Sequence, residues 1–182
     1  MLNGDLVNQR FDHYQINKIL ANKRSSIFSL ATDILTNQEV IVKIFYPSIL
    51  EKYGERLVQF LFDNIEMTLQ IKHPNLVKIY DSGMAAQYLY VAMEFVRGNN
   101  LEQILTKYGV IQPNIVVHIA KEVLRALKSG HESVLLHRDI KPKNIFLSDH
   151  NQIKLAELGL SMPNDFGHSI NKVLFGSPFY MS

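Results

Sequence analysis

One segment of the sequence brings together several side chains that could perform chemistry. Between His137 and Asn144 the chain reads His-Arg-Asp-Ile-Lys-Pro-Lys-Asn. A carboxylate such as that of Asp139 can accept or orient a proton, and an ammonium such as that of Lys141 can neutralise developing negative charge. The amide oxygen of an asparagine suits Mg²⁺, a hard cation that prefers oxygen ligands. These closely spaced residue types favour proton transfer beside a charged reacting group.

The same eight positions resemble the catalytic loop of Ser/Thr protein kinases, whose pattern is H-R-D-x-K-P-x-N. This resemblance implies that Asp139 is the catalytic residue that accepts or orients the hydroxyl proton, and that Lys141 neutralises the transferring phosphoryl group. It also implies that Asn144 is a ligand of Mg²⁺. The alternative is a charged surface loop that matches by accident, but so many ordered positions make chance negligible.

Other segments follow in the order of the kinase family. Val40-Ile-Val-Lys43 resembles the V-A-I-K strand, which implies that Lys43 holds the α- and β-phosphates of ATP. Residues 153–159 stand where the family has a strand running into D-F-G, so that Glu157 takes the place of the second metal ligand. Residues 176–182 resemble the segment that receives the protein substrate. ATP and Mg²⁺ are therefore the expected cofactors.

The resemblance also assigns residues to the site of the adenine ring. In the hinge strand, Met93 would guard the back of the pocket, and backbone groups around Glu94 and Val96 would hydrogen-bond the purine. Phe146, which lies shortly after the catalytic loop, would form the floor. With two residues of the roof included, the set implied to bind the cofactor beside Lys43 is Ile27, Ile41, Met93, Glu94, Val96 and Phe146.

The phosphate-binding loop departs from the family pattern. Glycines in the pattern G-x-G-x-x-G-x-V let backbone N–H groups approach the phosphates without a β-carbon in the way. Counted back from Ile27, the glycine positions hold Leu20, Asn22 and Ser25. The change weakens triphosphate binding, although the cationic side chains of Lys23 or Arg24 could partly compensate. The alternative is a plain turn between two strands.

Three pocket positions are also altered. Ile41 replaces the alanine that roofs the adenine ring, and its stiff β-branched side chain fills more of a narrow slot. Asn64 stands where the family has the glutamate that pairs with the lysine, so the charge of that pair is lost. Glu157 replaces the D-F-G aspartate and adds a methylene, which displaces a ligand of the geometrically strict Mg²⁺ ion. These changes argue against ordinary ATP binding.

Apolar alternation predicts the strands, and helical spacing of apolar residues predicts the helices. The predicted strands are 14–19, 25–31, 39–45, 76–80, 88–96, 145–147 and 153–156, and the predicted helices are 49–71, 99–108 and 113–133. This order predicts a small β-rich lobe followed by a mainly helical one, and the kinase resemblance implies an α+β fold of the two-lobed protein-kinase type. Its N-lobe would be an antiparallel β-sheet with one helix, and its partial C-lobe would be mainly helical. The domain would cover 11–182, with the lobes at 11–96 and 97–182.

The sequence reaches Ser182 where the family pattern continues with P-E. We therefore expect a kinase-like domain that is truncated before the end of its C-lobe. Removal of the remaining helices would expose an apolar face of that lobe, which favours self-association.

Composition narrows the class of partner. The chain has 182 residues, of which 47% are hydrophobic and 20% charged, as in ordinary globular domains. A formal charge of +2 gives no support for nucleic acid or an anionic membrane as a partner. No apolar run approaches the ~20 residues that span a bilayer, and the absence of cysteine excludes disulfides and thiolate metal sites. We expect a cytoplasmic protein, and the kinase resemblance implies that its partner is a protein substrate or a regulatory protein.

Three functions remain open from the sequence. The first is phosphoryl transfer from Mg-ATP to Ser or Thr of a protein, and the second is a pseudokinase that binds or regulates without chemistry. The third is a small-molecule phosphotransferase, which the Lys141-Pro142 pair and the 176–182 segment disfavour. In addition, Arg138 could pair with a phosphate on the activation segment. Candidate acceptors, which could equally be ordinary loop serines, are Ser161, Ser169 and Ser177.

Overall fold

The computed structural model describes residues 6–161, 163–164, 174–175 and 180. The chain divides into two compact units. The first unit comprises Met1–Asp63 and Lys78–Phe95, and the second comprises Asn64–Val77 and Val96–Ser182. The predicted first lobe at 11–96 differs from the first unit, because Asn64–Val77 and Val96 group with the second unit.

The first unit contains a six-stranded antiparallel sheet in the order β1-β2-β3-β4-β6-β5. Its strands are β1 (Arg10–Phe11), β2 (Tyr14–Asn22), β3 (Ser26–Asp33), β4 (Gln38–Phe45), β5 (Ile79–Ala85) and β6 (Tyr88–Glu94). The predicted strand at 76–80 is displaced, because β5 begins at Ile79. Leu76 forms an isolated bridge with Leu155, and the Val77 N–H donates to the Leu155 carbonyl at 2.9 Å. Both residues therefore pair within the second unit.

The alternation of side chains along β4 gives the sheet two different faces. Val40, Val42 and Ile44 are at most 2% exposed and join the hydrophobic core of the first unit. Because successive side chains of a strand point to opposite faces, Ile41 and Lys43 lie on the other face. Val40, Val42 and Ile44 therefore pack in the core. Ile41 and Lys43 lie on the face that can form a site.

Two helices occupy the region that the sequence pattern predicts as one helix, 49–71. They are α1 (Pro47–Tyr53) and α2 (Glu55–Gln70). Gly54 separates them with a φ of 74°, a left-handed conformation that glycine adopts without the steric cost of a β-carbon. Helical spacing continues across this glycine, so periodicity alone could not reveal the break. α2 ends before His73-Pro74, as predicted from the conformational restriction that proline imposes on its predecessor.

The second unit contains helices and short strands. They are β7 (Gly98–Asn100), α3 (Leu101–Tyr108), α4 (Pro113–Glu132), a 3₁₀ turn (Pro142–Asn144), β8 (Ile145–Ser148), β9 (Ile153–Leu155), β10 (Pro163–Asn164) and β11 (Leu174–Phe175). β7, β8 and β9 form one antiparallel sheet, and β10 pairs with β11. Asn100 begins α3 with a capping box, in which its side chain and that of Gln103 each accept the other's backbone N–H at 2.9 Å.

One face of α4 packs into the core of the second unit. Ile119, Val123 and Ala126 lie at successive turns of this face and are at most 7% exposed. Ile115, which the sequence pattern places on the same face, is 44% exposed. Among the described residues, none of the helices combines the length and the apolar character needed to cross a bilayer.

Candidate active site

The catalytic loop holds one carboxylate between two donors. Lys141 Nζ lies 2.6 Å from Asp139 Oδ2, and Asn144 Nδ2 donates to the same oxygen at 3.1 Å and to the Asp139 carbonyl at 2.8 Å. Pro142 begins the 3₁₀ turn, where its missing N–H costs nothing, and the turn brings Asn144 back to Asp139. Three predicted residues are thus brought together, with the side chains of Asp139 and Lys141 only 16% and 17% exposed.

His137 joins this loop to the strand that precedes Glu157. Its Nδ1 accepts the Asp139 N–H at 3.2 Å, so Nε2 carries the proton and donates to the Ala156 carbonyl at 2.8 Å. The residue is 2% exposed. Burial lowers the pKa of His137 below its ordinary value, against the smaller opposing effects of the Ala156 hydrogen bond and the nearby carboxylates. His137 is therefore a neutral connector of two backbone segments.

Glu157 lies beside the catalytic loop within the second unit. The N–H of the preceding residue, Ala156, donates to the Asn144 carbonyl at 2.8 Å. Glu157 and Arg138 adopt φ values of 71° and 62°, a left-handed conformation that is uncommon outside glycine. Strained backbone of this kind persists only where its surroundings over-determine it, and it is frequent at functional sites.

The side chains of Asn144 and Glu157 offer oxygen atoms of the kind that a magnesium ion binds. The amide nitrogen of Asn144 donates to Asp139, which assigns its other amide atom, an oxygen, as the possible ligand. Glu157 supplies a carboxylate on the neighbouring backbone segment. Amide and carboxylate oxygens are the ligands that Mg²⁺ prefers. Asn144 and Glu157 would hold the ion.

In the first unit, three of the predicted cofactor residues share a face of the sheet. Ile41 pairs directly with Met93 across β4 and β6, and Lys43 follows Ile41 on the same face. Met93 is 4% exposed and Lys43 is 2% exposed, whereas Ile41 is half-buried. The Lys43 ammonium lies 4.8 Å from the centre of the Phe45 ring and 5.3 Å from that of Phe28.

Ile27 does not belong to this group. It pairs with Ile44, is fully buried and packs in the core on the opposite face of the sheet. Phe28 pairs with Lys43 instead, so we assign it the valine position of the glycine-loop pattern. An error of one residue reverses the face of a strand, and both positions are apolar, so sequence alone could not choose between them. Counted from Phe28, the glycine positions hold Ala21, Lys23 and Ser26, again without glycine.

The remaining predicted cofactor residues lie in different units. Glu94 ends β6, where its N–H donates to the Lys78 carbonyl at 2.8 Å and its carboxylate accepts the Lys78 N–H at 3.1 Å. Val96 follows and is half-buried, and it belongs to the second unit. Phe146 is also half-buried in the second unit, where it pairs with Asn100.

The structure also shows the burial and the hydrogen bonding of Asn64 and Ser161, two residues that the sequence singles out. Asn64 is 3% exposed, and its Nδ2 has no hydrogen-bond partner in the part of the chain that the structure describes. Ser161 is 7% exposed, and its hydroxyl donates to the His137 carbonyl at 2.6 Å. Ser161 is thus a buried anchor of the catalytic loop and a poor phosphate acceptor. Ser169 and Ser177 lie outside the described residues.

A separate polar cluster in the first unit was not found from the sequence. Ligand-type atoms of Asp12, His13 and Asp81 lie within 4.8 Å of one another. His13 Nδ1 lies 3.1 Å from Asp12, and the Tyr90 hydroxyl donates to Asp81 at 3.2 Å. These contacts account for the arrangement as a hydrogen-bonded group at the start of the sheet. No sequence signal links Asp81 to the other two, because the sheet alone brings them together.

Comparison with known proteins agrees with the fold. The family model described as the protein kinase domain matches residues 14–182. This chain therefore belongs to the protein kinase family. The serine/threonine-protein kinase PrkC of Bacillus subtilis is 29% identical over 88% of this chain and 24% of its own length. A probable serine/threonine-protein kinase of Clostridium acetobutylicum is 30% identical over 94% of this chain and 26% of its own length.

A solved structure provides the corresponding comparison of folds. The kinase domain of Mycobacterium tuberculosis PknI has a TM-score of 0.76 and 23% identity, covering 86% of this chain and 63% of that domain. At this identity the likeness establishes the kinase-like fold: an antiparallel sheet with helices, followed by a partial helical lobe. The chain spans about a quarter of the length of the two bacterial relatives.

Proposed function

We propose that the chain carries a phosphotransfer site that uses Mg-ATP and modifies Ser or Thr hydroxyl groups of a protein. One observation supports this most directly: Lys141 and Asn144 both contact the same carboxylate oxygen of Asp139. Such a pair orients the carboxylate and lowers the entropy lost in reaching a reactive geometry. The kinship with Ser/Thr kinases supports the choice of acceptor.

Each residue has a proposed role that follows from its chemistry. Asp139 would orient the acceptor hydroxyl and take its proton as the hydroxyl oxygen bonds to the γ-phosphorus and the bond from that phosphorus to the leaving ADP breaks. Lys141 holds the Asp139 carboxylate and neutralises negative charge on the transferring group. Asn144 and Glu157 supply oxygen ligands. When bound, Mg-ATP supplies the phosphoryl group and the cation that offsets its charge.

Several of the proposed nucleotide residues lie in the first unit. Lys43 binds phosphate oxygens through its ammonium, while Ile41 and Met93 provide apolar surface for the purine. Hinge backbone groups around Glu94 and Val96 hydrogen-bond its edge, and Phe146 packs against the ring. We retain 11–96 and 97–182 as the proposed lobes of a domain at 11–182.

Phosphate incorporation tests the enzymatic proposal. The chain is incubated with radiolabelled ATP, Mg²⁺ and a mixture of Ser- and Thr-containing peptides, with Asp139→Asn and the matched exposed control Asp149→Asn. A positioned general base contributes roughly 10²- to 10⁴-fold to rate, so Asp139→Asn should lose incorporation by about that factor. Asp149→Asn should retain it. Equal incorporation by all three proteins would contradict the assigned role of Asp139.

A second candidate is a pseudokinase, which binds or regulates without chemistry. The half-buried Ile41 beside Met93 favours it, because a larger side chain occupies the position of the roof. Thermal unfolding with ATP, with and without Mg²⁺, separates the candidates. A ligand at 100 times its dissociation constant stabilises by about 2.7 kcal/mol. No shift under either condition supports the pseudokinase, and a Mg²⁺-independent shift supports nucleotide binding without a working metal site.

The aspartate variant of the metal ligand sharpens this test. Glu157→Asp shortens the side chain to the length that the family pattern carries. If Glu157 is a displaced ligand, the variant should increase the Mg²⁺-dependent part of the thermal shift. An unchanged Mg²⁺ dependence would argue that Glu157 does not bind the ion.

We also infer that the second unit can self-associate. On α4, Val116, Val117 and Leu124 are 47%, 52% and 63% exposed, and clustered exposed apolar residues favour association. Light scattering across a concentration series tests this inference. A concentration-dependent rise in mass that Leu124→Lys abolishes supports it, and a constant monomer mass contradicts it.

A further inference from the structure

Two cationic side chains approach the same aromatic ring on the Lys43 face of the sheet. The Lys23 ammonium lies 4.0 Å from the centre of the Phe28 ring, and the Lys43 ammonium lies 5.3 Å from it. Phe28 and Lys43 are directly paired across β3 and β4. The attraction between a cation and the negative face of an aromatic ring therefore helps to position both ammonium groups.

The β2–β3 turn forms one backbone hydrogen bond of its own and accepts others from Tyr46. The Lys23 N–H donates to the Ser26 carbonyl at 2.9 Å, and the Tyr46 N–H donates to the Ser25 carbonyl at 3.1 Å. The Tyr46 hydroxyl also donates to the side-chain oxygen of Asn22. A glycine loop binds phosphate through backbone N–H groups that point at the ligand. In this turn the N–H of Lys23 is directed to the turn itself.

We propose that the Lys23 ammonium replaces this backbone cradle as a phosphate-binding group. The ligand class is the polyphosphate chain of a nucleoside triphosphate, and the inference rests on the proposed function. Phe28 is a positioning residue that holds Lys23 near Lys43. An ammonium binds phosphate as a point charge, without the geometry that a backbone cradle demands.

Binding of inorganic tripolyphosphate and of ATP tests the proposal by calorimetry. Tripolyphosphate lacks adenine, so its binding is independent of the altered roof at Ile41. A hydrogen bond between charged groups contributes a factor of roughly ten to a hundred to affinity. Lys23→Gln should therefore lower the affinity for both ligands by at least about tenfold. Arg24→Gln, which removes the neighbouring cation, is the matched control and should have a much smaller effect.

Variants of Phe28 separate positioning from simple packing. Phe28→Leu keeps an apolar side chain but removes the aromatic face, and it should weaken tripolyphosphate binding severalfold. Phe28→Tyr keeps the ring and should retain the wild-type affinity. The dependence of affinity on salt should become shallower in Lys23→Gln and in Phe28→Leu, because in each variant one charge fewer contributes to binding. A purely structural role of Phe28 would leave this dependence unchanged.

The outcomes distinguish this inference from the proposed function. If Lys23→Gln and Arg24→Gln both bind tripolyphosphate as wild type does, the inference is wrong, even where ATP-dependent phosphate incorporation succeeds. If wild type binds tripolyphosphate through Lys23 but does not bind ATP, the inference stands and the proposed nucleotide site fails. If wild type binds neither ligand, both are overturned.

Discussion

Replacing His137 by leucine should destabilise the chain and loosen the catalytic loop. Leucine fills a similar volume but removes two hydrogen bonds, the one from the Asp139 N–H at 3.2 Å and the one to the Ala156 carbonyl at 2.8 Å. His137 is 2% exposed, so water has little access to either partner. A buried polar group that loses its partner costs about 1–3 kcal/mol. Burial of the apolar leucine offsets part of this cost, so we expect the free energy of unfolding to fall by roughly 2–4 kcal/mol.

The same substitution should change how stability depends on pH. Burial lowers the pKa of His137 from its ordinary value of 6.5. The folded state therefore resists a proton that the unfolded state accepts. The stability that His137 contributes is fully present above 6.5 and declines as pH falls towards the lowered folded pKa. The slope is at most about 1.4 kcal/mol per pH unit, and His137→Leu should lack this component.

Urea denaturation followed by circular dichroism measures both effects. Wild type, His137→Leu and the exposed control His150→Leu are compared at pH 7.5 and in steps below 6.5. The control should stay within about 0.5 kcal/mol of wild type, as is usual for surface positions. Equal stability of His137→Leu and wild type at pH 7.5, or equal pH slopes, would refute the connecting role of His137.

Three further predictions concern the roof of the nucleotide site and the packing of the second unit. Ile41→Ala should strengthen ATP binding by roughly 10- to 100-fold if the isoleucine blocks the adenine slot, while calorimetry with tripolyphosphate should show no change. Gly98→Ala should cost more than about 2 kcal/mol in urea denaturation, because Gly98 has a φ of 145° and a β-carbon would lie 2.1 Å from a neighbouring carbonyl oxygen. Gly109→Ala, with a φ of 81° and nothing within 4 Å, should cost less, because only backbone strain of about 1–3 kcal/mol applies there, and equal losses would contradict the steric explanation. Asn100→Ala removes the capping box of α3 and should cost about 1 kcal/mol, which hydrogen exchange in the first turn of that helix would detect as faster exchange.

The loop that contains Asp139 is an example of a local structure that the order of residues is sufficient to predict. Its spacing specifies a short turn, because proline fixes the start of the turn and the asparagine amide reaches back to the aspartate. The structure brings Asp139, Lys141 and Asn144 together through such local contacts. Strands and helices with a clear apolar periodicity could also be predicted from the sequence, among them β4, β6, α3 and α4. The break between α1 and α2 at Gly54 could not be predicted, because the apolar spacing continues on both sides of it.

The face of a strand is decided by pairing, and pairing is a property of distant segments. Ile27 and Phe28 are adjacent and both apolar, and only the register of β3 against β4 shows that Phe28 accompanies Lys43. For the same reason the cluster of Asp12, His13 and Asp81 was invisible before the sheet was known. The sequence by itself determined the family and most of the order of strands and helices, because these depend on local spacing. Only the tertiary structure decided which side chains share a face with Lys43 and which lie buried behind it, because a one-residue shift in register exchanges the two faces of a sheet.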